Sequence, residues 1–182
     1  MMKEYSKDDI EKGLNCYDPE GRVFPELSKT QQGRKLRKRD VLLILKWKLG
    51  RIKDVHSETV NDENMSKINQ AVEDARKLGG EIDALMALDQ IPGIGLATAT
   101  AILTVCYPDK FTIIDQRVLG VLGRSPANTD GWTAKKYIEE YLPAVMECRG
   151  RWGCTLRDAD RALWGLSVNE RIEDIIKISK QG

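Results

Sequence analysis

Apolar residues recur every three or four positions along much of this chain, and this spacing predicts an all-α protein. One such series lies between residues 65 and 78 and consists of Met65, Ile68, Val72, Ala75 and Leu78. The pair Gly79-Gly80 follows and predicts the end of that helix. A denser apolar run lies within a second predicted helix, over residues 37–49. Because that run is apolar on several sides, we expect the helix to occupy a central position.

Capping signals and chain breaks predict where the other helices begin and end. Ser6 with Asp9, and Thr155 with Asp158, each resemble a capping box, which marks the first turn of a helix. Residues 16–30 contain two prolines and a glycine, so this segment is predicted to be irregular. Further helices are predicted over residues 6–14, 81–88, 96–107, 116–122, 133–145, 156–164 and 169–180.

The length of 182 residues suits one domain or two closely packed lobes. A composition of 41% hydrophobic and 31% charged residues is ordinary for a globular protein. No apolar run approaches the roughly 18 residues of a membrane span, and the first residues lack the apolar core of a signal peptide. We therefore expect a monomeric cytoplasmic protein, nucleoid-associated in a bacterium, with no membrane partner.

The net charge of +1 conceals an uneven distribution of charge. Residues 29–53 hold ten basic residues and one acid, whereas residues 54–90 hold nine acids and three bases. Such a local positive field steers polyanions to one face of a protein, although a basic run also occurs on any solvated helix face. We expect Arg37, Arg39 and Lys48 to face double-stranded DNA.

A tight turn is predicted between the helices at 81–88 and 96–107, where the chain reads Ile91-Pro92-Gly93-Ile94-Gly95. Without side chains in the way, the N–H groups of Gly93, Gly95 and Ala97 can meet a DNA phosphate at a helix N-terminus. The alternative is an interhelical turn whose glycines serve geometry alone.

Twenty residues after Gly95, an apolar run delivers a single carboxylate, Asp115, to the start of another predicted helix. An aspartate at that position is a favoured N-cap, which is its structural interpretation. It is also suited to stabilising positive charge on a sugar while a base departs.

The two motifs together resemble the helix-hairpin-helix DNA glycosylase superfamily, over about residues 85–123. Its hairpin reads approximately L-P-G-V-G-x-K-T-A, and its catalytic aspartate lies in a V-D-x-x-V context that Ile114-Asp115-Gln116-Arg117-Val118 matches. The resemblance implies a single glycosylase-like unit of two small helical lobes. Residues 37–123, with the hairpin at 89–97, would form the central lobe, and residues 1–36 and 124–182 would form the second.

This resemblance implies a DNA glycosylase that acts in base excision repair, with Asp115 as its catalytic residue. Bifunctional members have a lysine where this chain has Ala97, so the expected enzyme is monofunctional and hydrolyses only the N-glycosidic bond. A non-enzymatic DNA-binding module is one alternative, and a bifunctional glycosylase/lyase that uses another lysine, such as Lys48, is a second. Alkylated, oxidised, uracil-type and mismatched bases all stay open as substrates.

The resemblance also bears on cofactors. Some members hold an iron-sulfur cluster with four clustered cysteines, but only Cys148 and Cys154 lie near each other here, so no iron-sulfur cluster and no redox cofactor is expected. A structural Na⁺ or K⁺ on the main-chain carbonyls of Asp89, Ile91 and Ile94 is implied.

A flipped base needs an aromatic or apolar pocket, and aromatic residues are candidates for its lining. Trp47 is the leading candidate, and Tyr17 and Trp152 are weaker ones. Trp132 and Trp164 are predicted to be packing residues. Arg117 is expected to contact a phosphate or to pair on the surface.

Overall fold

A computed structural model describes residues 5–16, 35–49, 57–124 and 131–179, and these ranges are helical without a strand. The prediction of an all-α protein is confirmed for this part of the chain. The helices are α1 (Lys7–Cys16), α2 (Lys38–Leu49), α3 (Asp62–Arg76), α4 (Glu81–Asp89), α5 (Leu96–Cys106), α6 (Gln116–Val121), α7 (Ala134–Lys136), α8 (Leu142–Trp152) and α9 (Leu156–Ser179). A 3₁₀ turn, Ser57–Val60, precedes α3, and a π-helical segment, Tyr137–Tyr141, joins α7 to α8. None of the described helices is long and apolar enough to cross a bilayer.

Both predicted capping boxes are present. The N–H of Asp9 donates to Ser6 Oγ over 3.3 Å, and the N–H of Ser6 donates back to the carboxylate of Asp9 over 2.9 Å. At the start of α9, the N–H of Asp158 donates to Thr155 Oγ over 3.0 Å. These side chains satisfy N–H groups that the first turn of a helix leaves unpaired, so both helices begin where the sequence predicts.

Three sequence predictions about helix extent are wrong. Helix α3 ends at Arg76, so Leu78 falls in a turn and is fully exposed instead of extending the apolar face. Helix α8 runs to Trp152, beyond the predicted end at residue 145. The two helices predicted at 156–164 and 169–180 are one continuous helix, α9. A single glycine in a helix costs only about 1 kcal/mol, which packing against a neighbour offsets at Gly165.

Helices α1 and α9 approach each other through their main chains. A Cβ atom on Gly165 would lie 1.8 Å from the carbonyl oxygen of Gly13, and one on Gly13 would lie 2.5 Å from that of Ala162. Only glycine permits this separation at both positions. Farther along the same contact, the Tyr5 hydroxyl donates to Glu170 over 3.2 Å. The first described helix therefore packs closely along the last.

The most buried helix is α5. It has the central position that the sequence predicted for α2. Every residue of α5 from Thr98 to Val105 is buried. Helix α2 buries one face, through Val41, Ile44 and Leu45, but leaves Leu42 and Leu43 about two-fifths exposed. Small residues around the circumference of α5 let neighbours pack on all sides, whereas α2 has a solvent face despite its apolar sequence.

The packing relates the helices to each other in two sets. Helix α3 packs on α4, α4 on α5, and α2 on α5, while α9 packs on α1, α6 and α8. The hairpin lies within the first set, between α4 and α5. Cys106, Cys148 and Cys154 form no disulfide, and burial raises the pKa of the Cys106 thiol to about 12 and that of Cys148 to about 11.

Candidate functional site

The predicted hairpin is a tight turn that connects α4 to α5. The N–H of Ile94 donates to the carbonyl oxygen of Ile91 over 2.9 Å, and Gly93 has a φ of +84°, which favours glycine. A Cβ on Gly93 would also lie 2.5 Å from Thr59 Oγ, so space as well as backbone angle requires glycine there. Gly95 precedes the first residue of α5 and offers that helix no side-chain cap. The first N–H groups of α5 are thus presented at the turn without a capping side chain.

The three carbonyls expected to hold a cation lie in and beside this turn. That of Ile91 accepts the hydrogen bond from Ile94, and the Asp89 carboxylate lies 4.0 Å from the position of a Cβ on Gly95. Elsewhere in the described ranges, no cluster of three or more histidine, cysteine or carboxylate side chains is arranged to hold a metal. The monovalent cation stays a prediction.

Side chains from distant helices hold the extended segment that leads to Asp115. The Tyr137 hydroxyl donates to the carbonyl oxygen of Thr112 over 2.6 Å and accepts from its N–H over 3.0 Å. The Tyr141 hydroxyl donates to the carbonyl oxygen of Ile113 over 2.7 Å, and the N–H of Ile114 donates to Thr100 Oγ over 3.2 Å. These bonds replace the partners that a sheet would supply to an extended chain.

Asp115 caps α6 and also forms an ion pair. Its carboxylate accepts the N–H of Arg117 over 2.9 Å and lies 3.3 Å from Lys48 Nζ, at the end of α2. The Asp115 side chain is 27% exposed, and that of Lys48 is 16% exposed. The N-cap interpretation is therefore correct, and the carboxylate remains open to solvent and to a ligand as well.

Asp115 lines a cavity of about 240 Å³ between the end of α2, the extended segment and α9. Four residues named from the sequence share this cavity: Trp47, Lys48, Asp115 and Arg117. Its remaining lining residues are Ile113, Arg157, Asp160, Arg161 and Trp164.

Helix α9 supplies a wall of the cavity that the sequence analysis missed. Trp164 was predicted to be a packing residue, and it is half-buried against the core but also lines the cavity. Arg157, Asp160, Arg161 and Trp164 follow each other at spacings of three, one and three, which places them on one face of a helix. That polar and aromatic face was the available signal. Trp132, by contrast, packs edge-on against Tyr141 as predicted, with 6.1 Å between ring centroids.

The floor of the cavity contains a buried ion pair. Asp160 is 3% exposed, forms an ion pair with Arg157, and accepts the N–H of Ile113 over 3.3 Å. Burial raises the pKa of Asp160, and the neighbouring Arg157 opposes that rise. The pair links α9 to the segment that positions Asp115, because Asp160 accepts the N–H of Ile113, which lies two residues before Asp115.

Two arginines lie over the two tryptophan rings of the cavity. The Arg117 guanidinium is 4.9 Å from the Trp164 ring centroid, and the Arg157 guanidinium is 5.9 Å from that of Trp47. Both separations are within the range of cation–π attraction. Arg117, expected at a phosphate or in a surface pair, thus lies against an aromatic wall of the cavity.

Other predicted site residues lie elsewhere. Arg37 donates to the buried carboxylate of Asp40 and so completes the cap of α2. Arg39 is exposed, at the far end of α2 from Lys48, about 14 Å along the axis at 1.5 Å per residue. Trp152 is packed against the core and is not among the cavity residues. Tyr17 and the basic residues at 29–34 and 51–53 lie outside the described residues.

No protein-family model matches this chain, and no solved structure matches it. The features of this protein that indicate a function are therefore the hairpin, the cavity and the Asp115 carboxylate that lines it.

Proposed function

We propose that this protein is a monofunctional DNA glycosylase that hydrolyses the N-glycosidic bond of a modified base with Asp115. The observation that carries the proposal is the cavity itself. Trp47 and Lys48 precede Asp115 by more than sixty residues, yet they line the same 240 Å³ space as that carboxylate and Arg117. A flipped base, a sugar and a carboxylate have to meet in one place for this chemistry, and the cavity offers that place.

The position of Asp115 suits it to act on the sugar. Loss of a base creates oxocarbenium-like positive charge, which a nearby carboxylate stabilises while it orients a water for attack. The bonds from Arg117 and Lys48 hold the carboxylate in one orientation. A carboxylate that is already oriented in this way does not have to reorganise when positive charge develops on the sugar.

The hairpin supplies the grip on DNA in this proposal. Main-chain N–H groups at the start of α5 can bind a phosphate without reading sequence, and the positive end of the helix dipole favours an anion there. Thr59 lies so close to Gly93 that the turn has no room for a side chain at that position.

A second candidate is a glycosylase with lyase activity, and the position of Lys48 favours it. Its amino group lies 3.3 Å from Asp115, close to where C1′ of a bound sugar would lie in this proposal. A neutral amine there could attack C1′ while the C1′–N bond breaks and the base departs with that electron pair. Transfer of the amine's proton to Asp115 and opening of the sugar ring would then give the Schiff base. As an ammonium in an ion pair, Lys48 has no lone pair for that attack, so we place hydrolysis first.

Borohydride treatment during turnover is expected to trap no covalent protein–DNA adduct, because Ala97 replaces the hairpin lysine and Lys48 is ion-paired. DNA strands should stay intact until alkali cleaves the abasic site. The assay compares wild type with Lys48→Gln on the same damaged duplex. An adduct formed by wild type and lost in the variant would establish the lyase candidate instead.

Binding to undamaged duplex is expected to be micromolar or weaker and to fall about 100-fold between 50 and 200 mM salt, as for roughly four phosphate contacts. Arg39→Glu should weaken binding about five-fold or more across all sequences. Arg37 is a poor test site, since its substitution also removes the guanidinium partner of the buried Asp40 carboxylate. Arg151→Glu, on the exposed face of α8, is the matched control. A duplex affinity that does not change with salt concentration would contradict the electrostatic part of the proposal.

Incubation with a panel of damaged duplexes tests the activity itself. Release of free base with formation of abasic sites is the expected result. Salt-dependent DNA binding without release of any base would instead establish the non-enzymatic DNA-binding module.

A further inference from the structure

The cavity beside Asp115 carries an excess of positive charge. Four cationic side chains line it, namely Lys48, Arg117, Arg157 and Arg161, against the two carboxylates of Asp115 and Asp160. Arg161 also pairs with Asp158, which is not a lining residue, over 3.4 Å, so the lining together with this partner keeps an excess of one positive charge. Burial favours the protonated form of Asp160, and its protonation would only increase the excess. A ligand with a fixed positive charge is therefore repelled from this cavity.

The tryptophans do not reverse that preference. An electron-rich ring attracts a cation to its face, but here an arginine of the same chain lies over one face of each ring. A cationic base that stacked in the cavity would approach rings of which one face already interacts with Arg117 or Arg157.

Hydrogen-bonding chemistry points to the group that the cavity would accept. Guanidinium groups only donate hydrogen bonds, and they pair well with neighbouring carbonyl and ring-nitrogen acceptors on a base edge. The volume of about 240 Å³ is below the usual 300–1,000 Å³ of pockets for larger ligands. A single flipped base fits this description better than a nucleotide does.

We infer that this cavity selects neutral bases with carbonyl oxygens on their edges and rejects bases that carry a fixed positive charge. The inference rests on the proposed glycosylase activity and specifies its substrate class. This selectivity opposes the intrinsic reactivity of the glycosidic bond, because a cationic base is the better leaving group. A preference for the neutral base would therefore reflect selection by the cavity.

The test measures single-turnover release of base from duplexes of identical sequence that contain 8-oxoguanine, uracil or 7-methylguanine, with spontaneous loss subtracted. We expect at least one of the two neutral bases to be released at least ten-fold faster than 7-methylguanine. Release of 7-methylguanine alone, or at the highest rate, would overturn this inference and leave the glycosylase proposal standing. Release of no base at all would overturn both.

Arg117→Gln provides the internal test, since it removes one positive charge and uncovers the Trp164 ring. The ratio of 7-methylguanine to neutral-base release should rise about ten-fold or more. The control is Arg151→Gln on α8, which removes a surface arginine paired with Glu147. Circular dichroism checks that both variants fold. An unchanged ratio in folded Arg117→Gln would overturn the inference.

Discussion

Asp115→Asn is expected to lower base excision by about 100-fold or more while folding and DNA binding survive. An asparagine keeps the size of the side chain and can still cap α6 through its carbonyl oxygen, so the bond from the Arg117 N–H is retained. The negative charge that would stabilise the sugar cation is lost. Single-turnover release of base, measured beside thermal unfolding and duplex affinity, separates these effects.

Asp109→Asn is the matched control, because Asp109 is exposed in the turn before the same extended segment. Its excision rate should equal that of wild type. Unfolding of Asp115→Asn would mean that the carboxylate serves α6 alone. Wild-type excision by a folded Asp115→Asn protein would remove Asp115 from catalysis, and a gain in DNA affinity without any wild-type excision would mean that the carboxylate only repels phosphate.

Asp160→Ala is expected to destabilise the protein by about 3–5 kcal/mol, the usual result of removing one partner from a buried ion pair. Arg157 would keep its charge in a buried site, and the N–H of Ile113 would lose its acceptor. Urea unfolding followed by circular dichroism measures the change. Excision should fall as well, because the freed segment carries Asp115.

Glu147→Ala removes a carboxylate from an exposed pair with Arg151 on α8 and serves as the comparison. Exposed pairs contribute at most about 1 kcal/mol, so this variant should remain close to wild type in stability. An equally small loss for Asp160→Ala would show that the cavity floor does not depend on the ion pair. Asp160→Asn, which keeps an acceptor for Ile113, should unfold at a urea concentration between those of wild type and Asp160→Ala.

The sequence predicted correctly those features of the fold that depend on interactions between residues close together in the chain. The two capping boxes, the turn at Pro92-Gly93 and the cap at Asp115 each involve groups a few residues apart, and all are present. Helix extent was harder to predict where tertiary packing decides it. Leu78 matched the period of α3 but lies beyond its end, and the glycine within α9 leaves the helix unbroken because α1 packs there.

The cavity could not be predicted from the sequence and is visible only in the three-dimensional structure. Lys48 and Asp115 are 67 residues apart, and no spacing rule pairs them. Sequence spacing shows that the α9 residues of the cavity share one helix face, but it does not show what that face meets. Trp164 was predicted to pack, as a tryptophan in a helix usually does, and its place beside the cavity could not be inferred from spacing.

The contact between Gly13 and Gly165 links the beginning of the chain to this cavity. Trp164, the residue before Gly165, faces the cavity, while α1 covers the adjoining turn of the same helix. Helix α9 has 24 residues, so it is about 36 Å long and would be exposed along much of one side without that cover. None of the described residues that line the cavity belongs to α1. Truncation of α1 would nevertheless loosen the wall that α9 forms, because α1 packs against that helix. Mutational tolerance at residue 13 should accordingly be as narrow as that of a residue within the cavity.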